Sequence, residues 1–365
     1  MTRKSPSRRG FLKGAAIGAV AASSLPAPAI AQGKVRWKMV TTWPKNFPGL
    51  GTGAQRIADR IGALTDGRLE VKLFAAGELV PAFEAFDAVR DGIAEMTHDA
   101  SYYWVAKHKS TPFYCTVPGG LTQQEHMGWI YHGGGQALWD ELYAEFGLKA
   151  FLAGGTGVQM GGWFQKEINS LDDFKGLTMR IPGLGAEVIN RLGATAVNMP
   201  GGEIMPALQS GVIDATEWVG PWNDLAFGFY KIAKYYYGPG FHEPSSALEV
   251  MVAKDKFEEL PKDLQAAVEN ACMAENGYML SEFTAGNSAA QTKLVDEHQV
   301  KIGSFPDDVV KAAYGAAVDV LHETASEGEL AKRIFESWWK FRQEAIARAP
   351  FAEQGYMNNR ALADA

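Results

Sequence analysis

The apolar residues switch repeatedly between a period of two and a period near 3.6, and this switching constrains the fold more than any other feature of the chain. Val35-Arg36-Trp37-Lys38-Met39 alternates as a strand with one buried face. Ala54, Ile57, Ala58, Ile61 and Leu64 then recur at helical spacing, and Asp66-Gly67 ends that helix. Leu69, Val71 and Leu73 alternate again. A helix through Phe83, Phe86 and Val89 stops at Asp91-Gly92, and Ile93 to Met96 reads as a third strand. The order β-α-β-α-β predicts a largely parallel sheet with helices on its faces.

The pattern restarts near residue 149. Strands are expected at Lys149 to Ala153, Leu177 to Ile181, Thr195 to Asn198 and Val212 to Trp218. Between them come a capped helix start at Ser170-Leu171-Asp172-Asp173 and helices near Ala186 to Leu192 and Glu203 to Gln209. A length of 365 residues, 47% hydrophobic and 21% charged, fits an ordinary globular chain of two such domains. Ala88 to His98 can also be laid on Ala207 to Glu217, each a helix, a glycine stop and a strand. Chance likeness of two such units is the competing account. If the match is a true repeat, His98 and Glu217 occupy equivalent strand ends, where open α/β sheets bind ligands, and both face a crevice between the domains.

From Pro261 the chain turns helical. Leu264, Val268, Ala271, Cys272, Ala274 and Tyr278 form an apolar stripe that runs on towards Leu294. A helix of that length, on the order of 45 to 55 Å, can brace both domains or reach a neighbouring subunit. Further helices are expected at Pro306 to Thr324 and Glu329 to Ala347, and the segment after Phe351 carries no readable pattern.

The N-terminus reads as an export signal. Ser7-Arg8-Arg9-Gly10-Phe11-Leu12-Lys13 is a paired-arginine region, Ala15 to Ser24 is a short apolar stretch, and Ala29-Ile30-Ala31 is an A-x-A cleavage site. The apolar stretch is well below the roughly 20 residues that span a bilayer, so a twin-arginine signal cleaved after Ala31 is expected, with a periplasmic location. Loss of Arg3, Lys4, Arg8, Arg9 and Lys13 with no acid would take the net charge from -7 to -12. Such a surface does not seek nucleic acid or anionic lipid, and must hold any anionic ligand with a few well-placed cations. Cys115 and Cys272 are the only cysteines, too few for an iron–sulfur cluster or a cysteine-rich zinc site, and two separate buried thiols are expected.

Two glycine-rich stretches invite enzyme readings and fail them. In Gly154-Gly155-Thr156-Gly157-Val158-Gln159-Met160-Gly161-Gly162, the G-x-G-x-x-G spacing would require glycine where Met160 stands. A loop whose backbone approaches a ligand closely is the better account. His132-Gly133-Gly134-Gly135 is like an esterase oxyanion loop, yet the chain has no G-x-S-x-G elbow to partner it, so a helix start or turn is expected.

What remains is a group of polar residues in the second unit. Arg180 ends the strand Leu177 to Ile181, where its planar fork suits a carboxylate and would equally serve a structural ion pair. Glu217 ends another strand beside Trp218, and Glu243 lies in the loop Pro239-Gly240-Phe241-His242-Glu243. With the Gln159 amide oxygen and a backbone carbonyl, the two carboxylates would make an oxygen-only nest for a hard cation such as Na⁺ or Ca²⁺. Glutamates of this kind are also commonly just solvated.

The segments Thr156 to Trp163, Met179-Arg180, Asp214 to Pro221 and Tyr235-Tyr236-Tyr237 resemble the periplasmic solute receptors of tripartite ATP-independent (TRAP) transporters, within them the TakP-type branch that binds α-keto acids. The resemblance spans essentially the whole mature chain. It implies a periplasmic-binding-protein fold of two α/β domains that close over a ligand in the cleft, with no catalysis and no organic cofactor. The implied boundaries are 1–31 for the signal, 32–153 and 154–253 for the two domains, and 254–365 for a helical segment that braces both and can make a homodimer contact.

Carried onto this chain, the resemblance has Arg180 hold the ligand carboxylate, while Gln159, Glu217, the Trp218 carbonyl and Glu243 surround Na⁺ or Ca²⁺. Tyr102 and Tyr103 reach across from the first domain, and Gln159 and Glu217 also touch the acid. The implied partners are a small monocarboxylate, such as pyruvate or a related 2-hydroxy acid, and the membrane subunits of a TRAP permease. The alternatives are a receptor for a small aromatic or sugar acid, or a periplasmic cofactor enzyme. One departure stands out: Gly155 occupies a position where the compared family member has asparagine.

Overall fold

A computed structural model describes residues 33–363, so the paired-arginine segment and its cleavage site lie outside the described residues. Among the described residues, no helix is long and apolar enough to cross a membrane. Eleven strands are formed there: β1 Val35–Thr41, β2 Leu69–Phe74, β3 Met96–Asp99, β4 Leu148–Gly155, β5 Gly162–Phe164, β6 Thr178–Arg180, β7 Thr195–Val197, β8 Ala215–Thr216, β9 Tyr235–Tyr237, β10 Ala247–Ala253 and β11 Lys301–Gly303. They make two sheets, ordered β2-β1-β3-β10-β4 and β11-β9-β5-β8-β6-β7.

In each sheet the parallel part is what the alternating pattern predicts. β1 pairs parallel with β2 and β3, and β6 pairs parallel with β7 and β8. The antiparallel members come from strands that return from elsewhere. β10 runs antiparallel to both β3 and β4, so the expected unit 154–253 gives its last strand to the first sheet. All seven residues of β10 are buried, which suits a strand covered on both faces. The helical segment after 254 likewise contributes β11 to the second sheet, beside β9.

Two expected strands start late. Ile93 is 45% and Val212 63% exposed, because each follows a glycine in the left-handed region, Gly92 and Gly211, and belongs to the turn rather than the sheet. The paired segments therefore share more than composition. Each is a helix, a left-handed glycine and a parallel strand, Ala85–Arg90 leading into β3 and Gly201–Ser210 into β8. Ser170 and Asp173 form the expected capping box, over a single 3-10 turn, Leu171–Phe174. His132 to Gly135 is the joint between two helices, with Gly134 in the left-handed region. The unreadable tail is an exposed helix, Glu353–Ala363.

The long helix runs from Lys262 to Asp296, 35 residues or about 52 Å. It packs on β4 and the Leu50–Leu64 helix of the first lobe, and on the Pro221–Phe227 helix of the second. Arg56 clamps it to the first lobe through Glu275 (2.6 Å) and Glu282 (2.7 Å), with Arg60 adding a second bond to Glu275 (2.7 Å). In the second lobe Asn287 Oδ1 accepts from the Trp222 backbone N–H at 3.0 Å. The helix thus braces both lobes. The lobes are joined at four places: residues 156–161, residues 238–246, the long helix, and residues 326–328 between the helices Asp307–Ala325 and Glu329–Arg348. Cys115 and Cys272 are both free and buried.

Candidate binding cleft

The strand ends of the second sheet and the crossing loops converge on one buried point. Arg180 closes β6, Glu217 follows β8, and the backbone N–H of Glu217 donates to the Arg180 carbonyl (3.2 Å), so the parallel pairing sets the two side chains together. The Gln159 N–H donates to the Glu243 carbonyl (3.1 Å), and the Gly240 N–H donates back to the Gln159 carbonyl (2.8 Å). This binds the two crossing loops to each other. Gln159, Arg180, Glu217 and Glu243 are all at most 2% exposed.

Glu217 and Glu243, expected as ligands of one cation, do come together. Their carboxylates and the His242 ring lie within 4.8 Å of one another. His242 Nε2 stands 3.3 Å from Glu217 Oε2 and 4.0 Å from Glu243 Oε1. The histidine was visible in the sequence as the neighbour of Glu243, but nothing in its spacing showed that its ring would lie between two acids. Burial, and next the Glu217 charge, push the Glu243 carboxyl well above the usual range, although Arg180 opposes this.

Arg180 is an ion-pair partner as well as a candidate ligand grip. Its Nη1 donates to Glu217 Oε1, Nε donates to the Met199 carbonyl at 3.2 Å, and the guanidinium lies over the Trp218 ring, 5.2 Å from its centroid. From the sequence, an ion pair and a carboxylate grip are alternatives for Arg180. In the structure they are compatible, because Nη2 has no protein partner. Burial opposes the charge, but Glu217 and the two tyrosines outweigh it, so the group's pKa lies above the ordinary arginine value.

Tyr102 and Tyr103 come from the 3-10 turn Ser101–Trp104 after β3 and sit edge to face, 4.7 Å apart, on the opposite wall. Burial pushes the Tyr103 hydroxyl up to about 12 against the pull of Arg180, and carries Tyr102 well above its usual value. Both remain neutral donors. With Trp43, Thr156, Gln159 and Trp218 they line a narrow cavity of about 10 Å³, room for about one water. That volume is too small for a carboxylic acid.

The donor set fits an acid and a cation. Gln159 Oε1 and Glu243 Oε2 are buried acceptors without a protein partner, and Arg180 Nη2 is a buried charged donor in the same condition. Buried polar groups are rarely left so, and these three would be completed by a hard cation on the oxygens and a carboxylate on the nitrogen. The Trp218 ring packs against Phe47 (6.2 Å), Trp43 (6.2 Å) and Phe227 (5.2 Å), closing the floor.

His98, the residue equivalent to Glu217 in the repeat, has no such openness. Its Nδ1 accepts from Trp43 Nε1 at 2.9 Å and its Nε2 donates to the Ala153 carbonyl at 3.2 Å. Burial lowers its pKa to about 4, leaving a neutral, fully bonded core histidine. Gly155 also acquires a physical reason. A Cβ there would stand 2.3 Å from the amide of Gln123, which fills the space beside the backbone.

Known proteins resemble this chain over nearly all of its length. A monocarboxylate 2-oxoacid-binding periplasmic protein of Nostoc sp. is 42% identical over 324 residues, 89% of this chain and 88% of that protein. A TRAP periplasmic solute-binding protein of Pseudoalteromonas atlantica, solved with bound sodium and pyruvate, superposes with a TM-score of 0.86 at 41% identity, covering 89% of this chain and 99% of that one. A TRAP transporter solute-binding protein of Bordetella bronchiseptica, solved as a mixed-occupancy dimer with calcium and picolinate, gives 0.89 at 38% identity, covering 91% and 98%. Residues 39–327 match the bacterial extracellular solute-binding proteins of family 7 (DctP), and the chain belongs to that family of TRAP solute receptors, with its two-domain periplasmic-binding-protein fold.

Proposed function

We propose that this receptor captures a small 2-oxo or 2-hydroxy monocarboxylate together with Na⁺ or Ca²⁺ and passes it to the membrane subunits of a TRAP permease. One observation carries the reading: where the crossing loops meet the strand ends of the second sheet, Gln159 Oε1 and Glu243 Oε2 are buried acceptors and Arg180 Nη2 a buried guanidinium nitrogen, each without a protein partner. Gln159, Glu217, the Trp218 carbonyl and Glu243 would hold the cation, and Arg180 with Tyr102 and Tyr103 would hold the acid. The 2-oxo or 2-hydroxy oxygen would complete the cation's shell. Each half offsets the other's charge, so a bare anion is repelled by the acidic pair and a chelating acid is selected. Pyruvate with sodium and picolinate with calcium in two relatives are chelating acids of this kind.

The reading has the chain exported folded through its paired-arginine signal, with lobes 32–153 and 154–253 closing about the crossing segments in the periplasm. A homodimer is part of it. The terminal segment leaves Phe351 91%, Tyr356 66% and Leu362 80% exposed, and one relative was solved as a dimer. Light scattering of the mature protein should give twice the chain mass. Calorimetry tests the main claim: metal-free protein titrated with pyruvate, lactate or picolinate should give binding heat once Na⁺ or Ca²⁺ is added. The absence of heat with all three acids under both cations would overturn the 2-oxo-acid reading.

A further inference from the structure

We propose that the Gln123 side chain is a hinge pin: a buried amide outside the cleft that ties two of the four interlobe connections, the long helix and residues 238–246, to the end of β4 that leads into a third, and sets how readily the receptor closes. The proposal rests on the receptor reading above for its consequence, though not for its geometry. Gln123 is the first residue of the helix Gln123–His132 in the first lobe, and a capping box between Thr122 and Glu125 fixes where that helix starts. The backbone of Gln123 is thus held by the first lobe, and only its side chain reaches the connections.

The amide uses each of its polar positions on a different segment. Nε2 donates to Asn276 Oδ1 at 3.1 Å, in the middle of the long helix, and to the Gly154 carbonyl at 3.5 Å, where β4 enters the first crossing. Oε1 accepts from the Ser245 hydroxyl, in the second crossing. Gln123, Ser245 and Asn276 are each at most 3% exposed. Gly155 is the neighbour that makes this possible, since any Cβ there would overlap the amide.

The pin also communicates with the site through the adjacent residues. Thr156 and Ser246 follow Gly155 and Ser245, and they bond each other: the Ser246 N–H donates to Thr156 Oγ1 (3.1 Å) and the Thr156 N–H to the Ser246 carbonyl (3.2 Å). Thr156 Oγ1 further accepts from Gln159 Nε2 at 3.1 Å. Parting of the lobes requires the crossings and the long helix to twist relative to one another. In a dry interior the three bonds cannot be exchanged for water, so any twist that breaks one is opposed. The amide therefore favours the closed arrangement, and apparent affinity scales with the closed fraction.

Gln123→Met tests this, because it keeps the volume and removes all three bonds. Introduced cysteines at the exposed positions Gln55 and Glu187, one in each lobe, carry a dye pair that reports lobe separation with and without pyruvate and Ca²⁺; Cys115 and Cys272 are buried. The expected result is a ligand-free distance distribution shifted towards the open form, and an affinity weakened about tenfold through faster release. Combining Gln123→Met with Asn276→Leu should weaken it little further. An unchanged distance distribution, affinity and release rate would overturn the pin, as would a loss of thermal stability alone. If the parent protein bound no acid, the receptor reading would fail while the ligand-free distances still decided the pin. Should Gln123→Met not fold, Ser245→Ala removes one of the bonds and is read in the same way.

Discussion

Among the described residues, the buried carboxyl pairs Asp99–Glu249 and Glu217–Glu243 separate burial that is satisfied within the fold from burial that is not. Asp99 and Glu249 face each other across β3 and β10 in the first lobe. Thr97 Oγ1 and Trp104 Nε1 donate to Asp99 at 2.8 and 2.9 Å, and the Tyr143 hydroxyl donates to both oxygens of Glu249 at 3.0 and 2.8 Å. These donors are neutral. Burial pushes Asp99 up to about 6 and lifts Glu249 well above its range, so the pair keeps a proton. Glu217 and Glu243 are equally buried but have the Arg180 cation, a histidine, and an oxygen left without a partner. The first pair is complete within the protein, whereas the second leaves Glu243 Oε2 without a partner, as the proposed cation site requires.

The comparison is broken most severely at Arg180. Arg180→Ala should abolish detectable pyruvate binding in calorimetry, since truncating one partner of a buried charge pair costs about 2–5 kcal/mol and here also strands Glu217. Retention of the parent affinity would remove Arg180 from the site. A smaller effect separates the acids themselves. Glu243→Gln should weaken Ca²⁺-dependent binding by at least about tenfold, roughly 1.4 kcal/mol, while Glu249→Gln should leave it within about twofold. Equal effects from both would show that the two pairs do not differ as described.

The smallest effect concerns pH. Asp99 and Glu249 have folded-state pKa values raised above their ordinary ones, so their contribution to stability is complete below about pH 4; the Asp99 part is lost as pH rises through about 6, and the Glu249 part continues to fall above its ordinary range. Thermal melts of chelator-treated protein across that window should show a decline with rising pH, flattened in Glu249→Gln. An identical pH profile in the variant would mean that the pair does not retain its proton.

Much of the site was legible because its residues end strands or sit in Gly- and Pro-marked loops. The period-two runs place Arg180 and Glu217 at strand ends, and Gln159 and Glu243 fall in glycine-marked loops, while the roles expected of them, and the choice of Tyr102 and Tyr103, come only from the family resemblance. What could not be read depends on pairing at a distance. Nothing local shows that Ala247–Ala253 joins the first sheet, and without that register Glu249 does not meet Asp99. The same holds for Gln123, whose three partners lie 31, 122 and 153 positions away. His98 and Glu217 share a backbone motif, and only the tertiary partners, Trp43 and Ala153 for one and Arg180 and His242 for the other, make the first a saturated core group and the second a candidate ligand.

If acid and cation bind as one unit, their affinities are linked. Pyruvate affinity should be measured calorimetrically on metal-free protein across a Ca²⁺ titration, then reversed by measuring Ca²⁺ affinity across a pyruvate titration. Each ligand should tighten the other by the same factor, and pyruvate binding should vanish in excess chelator. Pyruvate affinity independent of the cation would contradict that linkage.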